Sequence, residues 1–320
     1  MPKALFTEAR FNDDEAARDY LESIRWPNGA VCPHCGGTDR NSRLQGATHR
    51  PGLWFCGDCR EQYTVTVGTV FESSKVPLHK WVLANHLMCS SKKGISAHQL
   101  HRTLGVTYKT AWFMAHRIRE AMVPADTGPM GSGGKIIEAD ETYWGNSNRS
   151  KAAKATKKAI GHFNGQDKQK VVSIVERKGE VRSFHIATVT GHTLKDVLTK
   201  NIHASANLMT DDAHYYRRLG RSFASHQAVN HSEGEYARGD VTTNTVESFF
   251  ALLKRGLVGT FHHVAPKHLG RYCMEFDFRY NTRTALEYTD VQRATLAIKG
   301  ISGKRLTYRR LKGSQAACAA

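Results

Sequence analysis

Four cysteines in two pairs have the spacing of a metal site. Cys32 and Cys35 are separated by two residues, as are Cys56 and Cys59, and twenty residues lie between the two pairs. In structural zinc sites with this spacing, two tight turns each aim two thiolates at one ion. Four protein thiolates leave the ion no open position for catalysis. The sequence therefore predicts one structural Zn²⁺; the alternatives are disulfides or unrelated buried thiols.

A second set of residues could perform acid- and metal-dependent chemistry. Asp140 and Asp211 each follow a short apolar run typical of a β-strand, and carboxylates at strand ends form metal sites at the rim of an α/β sheet. Glu247 lies on a predicted helix, with Lys254 two turns further along the same face. Three such acids can hold two Mg²⁺ ions for phosphodiester chemistry, and the lysine can bind a phosphate. Taken singly, each acid is more often a helix cap or part of a solvated face than a catalytic group, and Asp212 is the alternative to Asp211.

The segment after the cysteines has the pattern helix, turn, helix. Ser96 can cap a first helix, Gly105 can end it in the left-handed conformation, and Thr107 can cap a second helix. The first turn of that second helix is the part that enters the major groove in DNA-binding units of this type, and it holds Tyr108, Lys109 and Thr110. Residues 92–119 contain six basic side chains and no acid. The pattern favours DNA binding over the alternative, a plain helical hairpin.

The overall charge agrees with a polyanionic partner. The 320 residues include 46 Lys and Arg against 29 Asp and Glu, a formal charge of +17, although residues 1–30 carry a net charge of −2. A hydrophobic content of 40% is typical of a folded chain rather than a disordered one. The sequence has no apolar run of the ~18 residues that span a bilayer, and no signal peptide. We expect a cytoplasmic, nucleoid-associated protein that binds nucleic acid and no membrane.

A further basic segment lies between two predicted strands. Residues 149–170 contain seven basic side chains and one acid. We expect Lys154, Lys157 and Lys158 to contact a DNA backbone, which would make binding salt-dependent. The alternative is an exposed, solvated loop.

The order of these features predicts an α/β protein with several parts. Strands are predicted at Lys135–Asp140, Val171–Glu176, Val181–Val189 and Ala206–Thr210, and a helix at His192–His203. The predicted parts are an N-terminal helix (1–28), a zinc ribbon (29–70), a helix-turn-helix region (71–125), a linker (126–134), a catalytic domain (135–300) and a basic, Ala-rich tail (301–320).

This order of motifs resembles the zinc-ribbon ISXO-like DDE transposases of bacterial insertion sequences. The resemblance extends from about Asn12 to Arg283 and is carried by CPHC and the second cysteine pair, ADETYWG, LMTDDAHYY and NTVESFFALLKRGLVGTFHHVAPKHLGRYCMEFDFRYNTR. It implies a ribonuclease H-like catalytic domain, a mixed sheet with flanking helices, preceded by the zinc ribbon and the helix-turn-helix. It also implies metal-dependent cleavage of double-stranded DNA at terminal inverted repeats, and strand transfer into a target.

The resemblance extends to individual residues. Asp140, Asp211 and Glu247 match the three acids of the family, which hold two Mg²⁺ or Mn²⁺ ions, and Lys254 matches the lysine that follows them. His262, His263 and His268 match the family pattern without an assigned role. The family implies a homodimer or higher multimer that joins two DNA ends. Two alternatives have a different function: a domesticated zinc-ribbon and helix-turn-helix DNA-binding protein without catalysis, and a nuclease of the same fold that cuts DNA but never joins it.

Overall fold

The computed structural model describes residues 5–124, 128–145 and 168–307. The chain forms two compact units, of which the first contains Met1–Pro124 and Tyr288–Ala320 and the second contains Ala125–Glu287. Lys154, Lys157 and Lys158, for which DNA contacts are predicted, lie outside the described residues. No helix in the described ranges is both long enough and apolar enough to cross a bilayer.

The chain contains both helices and strands, in the mixed order typical of an α/β protein. The helices are α1 (Asp14–Arg25), α2 (Leu78–Ser90), α3 (Ala97–Leu104), α4 (Tyr108–Met122), α5 (Gly191–Asn201), α6 (His214–Leu219), α7 (Asn244–Gly256), α8 (Pro266–Asn281) and α9 (Asp290–Lys299). The strands are β1 (Asn41–Arg43), β2 (Trp54–Cys56), β3 (Gln62–Tyr63), β4 (Ile136–Trp144), β5 (Gln169–Glu176), β6 (Val181–Ile186), β7 (Asn207–Asp211), β8 (Ser225–Val229), β9 (Ala237–Arg238) and β10 (Val241–Thr242).

The first unit begins with α1 and a small antiparallel sheet of order β1-β2-β3. Asp13 caps α1 by accepting a hydrogen bond from the backbone N–H of Ala16 at 2.8 Å. The indole N–H of Trp54 on β2 donates to Glu22 on α1 at 3.2 Å, which joins the sheet to the helix. The sheet is too small to bury a core of its own, so it depends on this helix and on the cysteine cluster.

The helical part of the first unit has the caps that the sequence predicts. Ser96 accepts a hydrogen bond from the N–H of Gln99 (3.1 Å), and Thr107 accepts one from the N–H of Thr110 (3.2 Å). Gly105 between α3 and α4 has a φ of 59°, a conformation that suits glycine.

The last helix of the chain packs within the first unit. Asn85 on α2 donates to the carbonyl oxygen of Ala294 at 2.9 Å, and Arg293 on α9 donates to that of Cys89 at 2.8 Å. The predicted catalytic domain runs to residue 300, whereas the second compact unit ends at Glu287. The apolar spacing of α9 shows that one face is buried but does not say against which part of the chain.

The second unit is built on a five-stranded mixed sheet of order β6-β5-β4-β7-β8. β4, β5 and β6 pair antiparallel, whereas β7 and β8 run parallel to β4. Because side chains alternate along a strand, each face buries its own apolar cluster. One cluster joins Ile137 and Ala139 of β4 to α5 and α6, and the other joins Val171 and Val175 of β5 to α7 and α8.

Strand lengths differ from the predictions where pairing, rather than apolar character, sets the end. β4 continues four residues beyond Asp140 to Trp144 because it pairs with β5 from Ile137↔Glu176 to Trp144↔Gln169. β8 is not predicted, since its only fully buried residue is Val229. An edge strand of this kind has no alternating apolar pattern to reveal it.

Candidate active site and metal centre

The four predicted zinc ligands converge in the first unit. The Sγ atoms of Cys32 and Cys59 are 3.6 Å apart, as are those of Cys35 and Cys56, and all four lie within 4.8 Å of one another. A tetrahedral ion with Zn–S bonds of about 2.3 Å holds its sulfurs about 3.8 Å apart. All four thiols are free rather than disulfide-bonded. The donor set and its spacing therefore fit a structural Zn²⁺.

Local backbone geometry prepares the sulfurs for a metal. The backbone N–H groups of Cys59 and Asp58 bond the sulfur of Cys56 and lower the pKa of this thiol to about 7, against the opposing effect of desolvation. The N–H of Gly37 reaches the sulfur of Cys35 at 3.5 Å, in a turn where Gly36 has a φ of 78°. At Cys35 and Cys59 the backbone N–H groups of Gly37 and Glu61 act in the same direction, but desolvation and the neighbouring sulfurs outweigh them and raise the pKa of Cys35, and that of Cys59 to about 12. A bound cation would offset this crowding of sulfurs, since zinc binds the thiolate form.

In the second unit, two of the predicted acids lie on neighbouring parallel strands. The register between β4 and β7 runs from Ile136↔Asn207 to Glu138↔Met209, so Asp140 and Asp211 each lie two residues beyond its last pair. The charge of Asp211 contributes to the raised pKa of Asp140, so the two carboxyl groups are close to each other. This is the arrangement expected for a site at the rim of an α/β sheet.

Asp212 is engaged elsewhere. Its carboxylate forms an ion pair with Arg217 at 2.9 Å, and its backbone N–H donates to the carbonyl oxygen of Val229 at 3.0 Å. The hydrogen bond from Arg217 lowers the pKa of Asp212. Between the two adjacent aspartates, the register and the ion pair favour Asp211 as the second acid of the site.

The third predicted acid lies on the first turn of α7. Glu247 exposes 45% of its side chain, and its Oε1 accepts a hydrogen bond from the Thr243 hydroxyl at 2.9 Å. The Nε2 atom of His231 lies 3.2 Å from the same oxygen. Lys254 is exposed two turns further along the helix, on the side that carries Glu247.

Electrostatics link these acids although they come from three elements. Burial raises the pKa of Asp140 to about 8, and the negative charges of Glu141, Asp211 and Glu247 add to this effect. The backbone N–H of Glu141, 2.7 Å from Asp140, opposes it. A carboxyl whose pKa rises in this way lies among negative charge that a divalent cation would neutralise, and oxygen ligands suit Mg²⁺ or Mn²⁺.

Among the described residues, only the four cysteines form a His, Cys, Asp and Glu group close enough together to hold an ion as it stands. The three acids are more widely spaced than these thiols. Carboxylates that share two ions about 3.5–4 Å apart also span more space than the ligands of a single ion. As they stand, Asp140, Asp211 and Glu247 are not at the mutual distances of a single-ion site.

Glu141 belongs to the other face of β4. Its Oε2 accepts a hydrogen bond of 2.6 Å from the hydroxyl of Tyr216 on α6. Burial raises the pKa of Glu141, with a further contribution from the charge of Asp211 and an opposing one from Tyr216. Strand alternation thus puts the side chain of Glu141 on the opposite face of β4 from that of Asp140, next to Tyr216.

Two residues of this region are not predicted by the sequence. Glu138 is fully buried between β4 and the start of α7, and His231 contacts the carboxylate of Glu247. A signal exists for Glu138, because it lies two residues before Asp140 and a period of two puts both on one face of the strand. His231 lies in a short turn of the chain, 231–233, where no periodic pattern would identify it.

The predicted DNA-contacting residues of the first unit lie at the start of α4. Tyr108 and Lys109 are exposed, and the ring of Tyr108 stacks on that of His98 with 4.3 Å between centroids. Thr110 is half-buried, and its hydroxyl lies 2.8 Å from the hydroxyl of Thr107. The structure thus puts two of the three side chains on the surface and engages the third in the helix cap.

The three histidines of the matching pattern lie beyond α7. His262 and His263 are exposed and follow a π-helical turn, Leu257–Phe261. His262 has a φ of 57°, and the N–H of His263 donates to the carbonyl oxygen of Phe261 at 2.6 Å. His268 is half-buried on the first turn of α8.

Known proteins resemble this chain in both parts. Residues 132–281 match the ISXO2-like transposase domain family, and residues 12–62 match the transposase zinc-ribbon domain family. A protein of Halobacterium salinarum, described as an uncharacterized protein in transposable element ISH50, is 28% identical over 281 residues, which cover 84% of this chain and 91% of the relative. The first match contains the three acids and the second contains the four cysteines.

Proposed function

Because the chain belongs to the zinc-ribbon, ISXO2-like transposase family, we propose that it is a DNA transposase that cuts the ends of an insertion sequence and joins them to target DNA. The observation that carries this proposal is that Asp140 and Asp211 lie on neighbouring parallel strands, each two residues beyond the last register pair, and that the charges of Asp211 and Glu247 add to the effect of burial on the pKa of Asp140. A mixed sheet with helices on both faces supports a ribonuclease H-like domain.

Each element of the site has a proposed task. Asp140, Asp211 and Glu247 hold two Mg²⁺ or Mn²⁺ ions, which supply Lewis-acid stabilisation of the phosphate charge when bound. Lys254, exposed beyond Glu247 on α7, binds a backbone phosphate and orients the strand. A water attacks the phosphodiester at the element end and releases a 3′-hydroxyl. That hydroxyl then attacks a target phosphodiester, so bonds are exchanged without a covalent protein intermediate.

The first unit supplies the proposed recognition of terminal inverted repeats. Tyr108 and Lys109 on the exposed first turn of α4 contact DNA, in the manner of a helix-turn-helix. The bound zinc fixes the fold of the cysteine-containing segment that precedes these helices. Joining two ends requires two active sites in one complex, so the working form is a homodimer or a higher multimer.

A cleavage and joining assay tests the proposal. The substrate is the duplex that flanks the reading frame, incubated with Mg²⁺ and a supercoiled target. We expect cut ends and joined products with the parent, and neither with Asp140→Ala, Asp211→Ala or Glu247→Ala, each of which retains DNA binding. Alanine variants that cut as fast as the parent would refute the site. Cut ends without joined products would favour a nuclease, and binding without cleavage would favour a domesticated DNA-binding protein.

A further inference from the structure

Glu138 is a fully buried carboxylate with four hydrogen-bond donors. Its Oε1 accepts from Arg177 Nε at 2.6 Å and from the Thr245 hydroxyl at 2.8 Å. Its Oε2 accepts from the backbone N–H groups of Thr245 at 2.7 Å and Val246 at 3.0 Å. Such a set of donors suits a group that only accepts, and a neutral amide in its place would point its own N–H₂ at another donor. The position therefore requires a carboxylate rather than a polar side chain of similar size.

This carboxylate caps the helix that carries Glu247. The N–H groups in the first turn of a helix have no partner within the helix, and an N-cap side chain usually satisfies them. Thr243, at the N-cap of α7, does not do so. Its hydroxyl instead donates to Glu247 at 2.9 Å, while Glu138 on β4 satisfies the helix N–H groups. The cap from another element thus leaves Thr243 available to orient the Glu247 carboxylate.

Arg177 extends the same contacts to the chain that leads into α7. Besides Glu138, the guanidinium donates to the carbonyl oxygens of Asp240 at 2.8 Å and Thr242 at 3.0 Å. The Glu138–Arg177 pair therefore fixes the start of α7 from both sides. Glu138 lies two residues before Asp140, and Val246 lies immediately before Glu247, so the hydrogen-bonded cluster is next in the chain to an acid of the strand and an acid of the helix.

We propose that Glu138 is a positioning residue, which acts with Arg177 as a clamp that sets Glu247 relative to Asp140 and so preorganises the acids for divalent cations. The inference rests on the proposed function insofar as it takes Asp140 and Glu247 as metal ligands. Residues that orient metal ligands control affinity almost as strongly as the ligands do. The clamp itself touches neither the ions nor DNA.

Mn²⁺ binding to the full-length chain, measured by calorimetry without DNA, tests the clamp. We expect Glu138→Gln to weaken Mn²⁺ binding about 10- to 100-fold, as loss of a ligand-orienting partner does. Thr245→Val keeps both backbone donors and removes one of the four bonds, so we expect a smaller loss of about 3- to 10-fold. The Mn²⁺ concentration for half-maximal DNA cleavage should rise in the same order.

Glu176→Gln is the matched control. Glu176 also accepts a side-chain and a backbone hydrogen bond, from Lys135 at 2.7 Å and from the N–H of Gly131 at 3.1 Å. It pairs with Ile137, so its side chain lies on the opposite face of the sheet from Glu138 and does not cap α7. The Glu176→Gln variant should bind Mn²⁺ within about twofold of the parent, because the ion pair it loses is to a largely exposed lysine and such pairs contribute little. Circular dichroism melting curves identify a variant that has unfolded. If Glu138→Gln does not fold, Mn²⁺ binding by Thr245→Val tests the clamp instead.

Glu247→Gln separates the two possible failures. If Glu247→Gln binds Mn²⁺ as tightly as the parent, the metal assignment in the proposed function is wrong. If it loses Mn²⁺ while Glu138→Gln and Thr245→Val bind like Glu176→Gln, the clamp is overturned and the proposed function stands. Graded loss in the order Glu247→Gln, Glu138→Gln, Thr245→Val supports both.

Discussion

Replacing Asp277 with asparagine should stabilise the second unit relative to the parent, and the gain should be larger at neutral pH than at acidic pH. The carboxyl lies buried on α8 and accepts two hydrogen bonds of 2.7 Å from Ser183 on β6, one from the backbone N–H and one from the hydroxyl. Burial raises the pKa of Asp277 to about 7, although both hydrogen bonds from Ser183 oppose the rise. Asparagine keeps an oxygen for the N–H and offers an N–H₂ to the hydroxyl, so it can replace the protonated acid.

The direction of this pH effect follows from how many protons the folded and the unfolded chain bind. An unfolded aspartate has a pKa of about 3.9, so between that value and about 7 the folded parent binds more protons than the unfolded chain. Stability of the parent must then fall as pH rises, by about 1.4 kcal/mol per pH unit, and level off above about pH 7. From pH 5 to pH 7 the loss is about 2 kcal/mol, an upper value because water and relaxation around a buried charge reduce it. Asp277→Asn lacks this loss.

Hydrogen exchange measured by mass spectrometry reports the effect in the full chain. Peptides that cover 181–186 and 266–281 give a local opening free energy after correction for the intrinsic exchange rate at each pH. The advantage of Asp277→Asn over the parent should grow by about 1–2 kcal/mol between pH 5 and pH 7. Glu180→Gln, at a carboxylate that is 54% exposed, is the control and should show no such trend. A difference between Asp277→Asn and the parent that stays constant within about 0.5 kcal/mol would refute the reasoning.

Three further predictions concern the two metal sites and the DNA surface. Native mass spectrometry should find one zinc per parent chain. Cys56→Ser should lose this zinc and the exchange protection of residues 32–63, because one of the four ligands is gone. Retention of both would contradict the zinc assignment. Lys109→Ala should weaken duplex binding about equally for all sequences and lower the slope of log affinity against log salt by about one. An unchanged slope would place Lys109 away from phosphate. Asp211→Asn should abolish Mg²⁺-dependent cleavage, whereas Asp212→Asn, which breaks the ion pair with Arg217, should keep the rate within about fivefold. The reverse result would exchange their roles.

Features that depend on neighbouring residues are predictable from this sequence. Cys32 and Cys56 each pair with a cysteine three positions on, and the structure brings the two pairs together within 4.8 Å. The caps at Ser96 and Thr107 are found where the sequence puts them. In each case the chemistry is decided within one turn of chain, because a cap or a knuckle needs only backbone groups a few residues away.

Features that depend on distant partners are not predictable in the same way. The sequence shows that Asp140 follows an apolar run typical of a strand. Its proximity to Asp211, however, depends on the parallel pairing of two strands about 70 residues apart. The packing of α9 in the first unit depends on Asn85, which is 209 residues from its partner Ala294. Periodicity identifies a buried face and leaves open what covers it.

Glu138 shows why the acids of this site cannot be interpreted from their number alone. In the same unit, Asp140 is a carboxyl with a raised pKa among negative charges, whereas Glu138, two residues away on the same strand face, is surrounded by donors. The sequence presents them as equivalent acids of one strand. Their environments differ because one faces the rim of the sheet and the other faces the start of a helix, whose unpaired N–H groups and positive dipole end favour a carboxylate. A charge that stabilises the fold at one position thus lies two residues from a carboxyl whose ionisation is opposed by burial and by neighbouring charges.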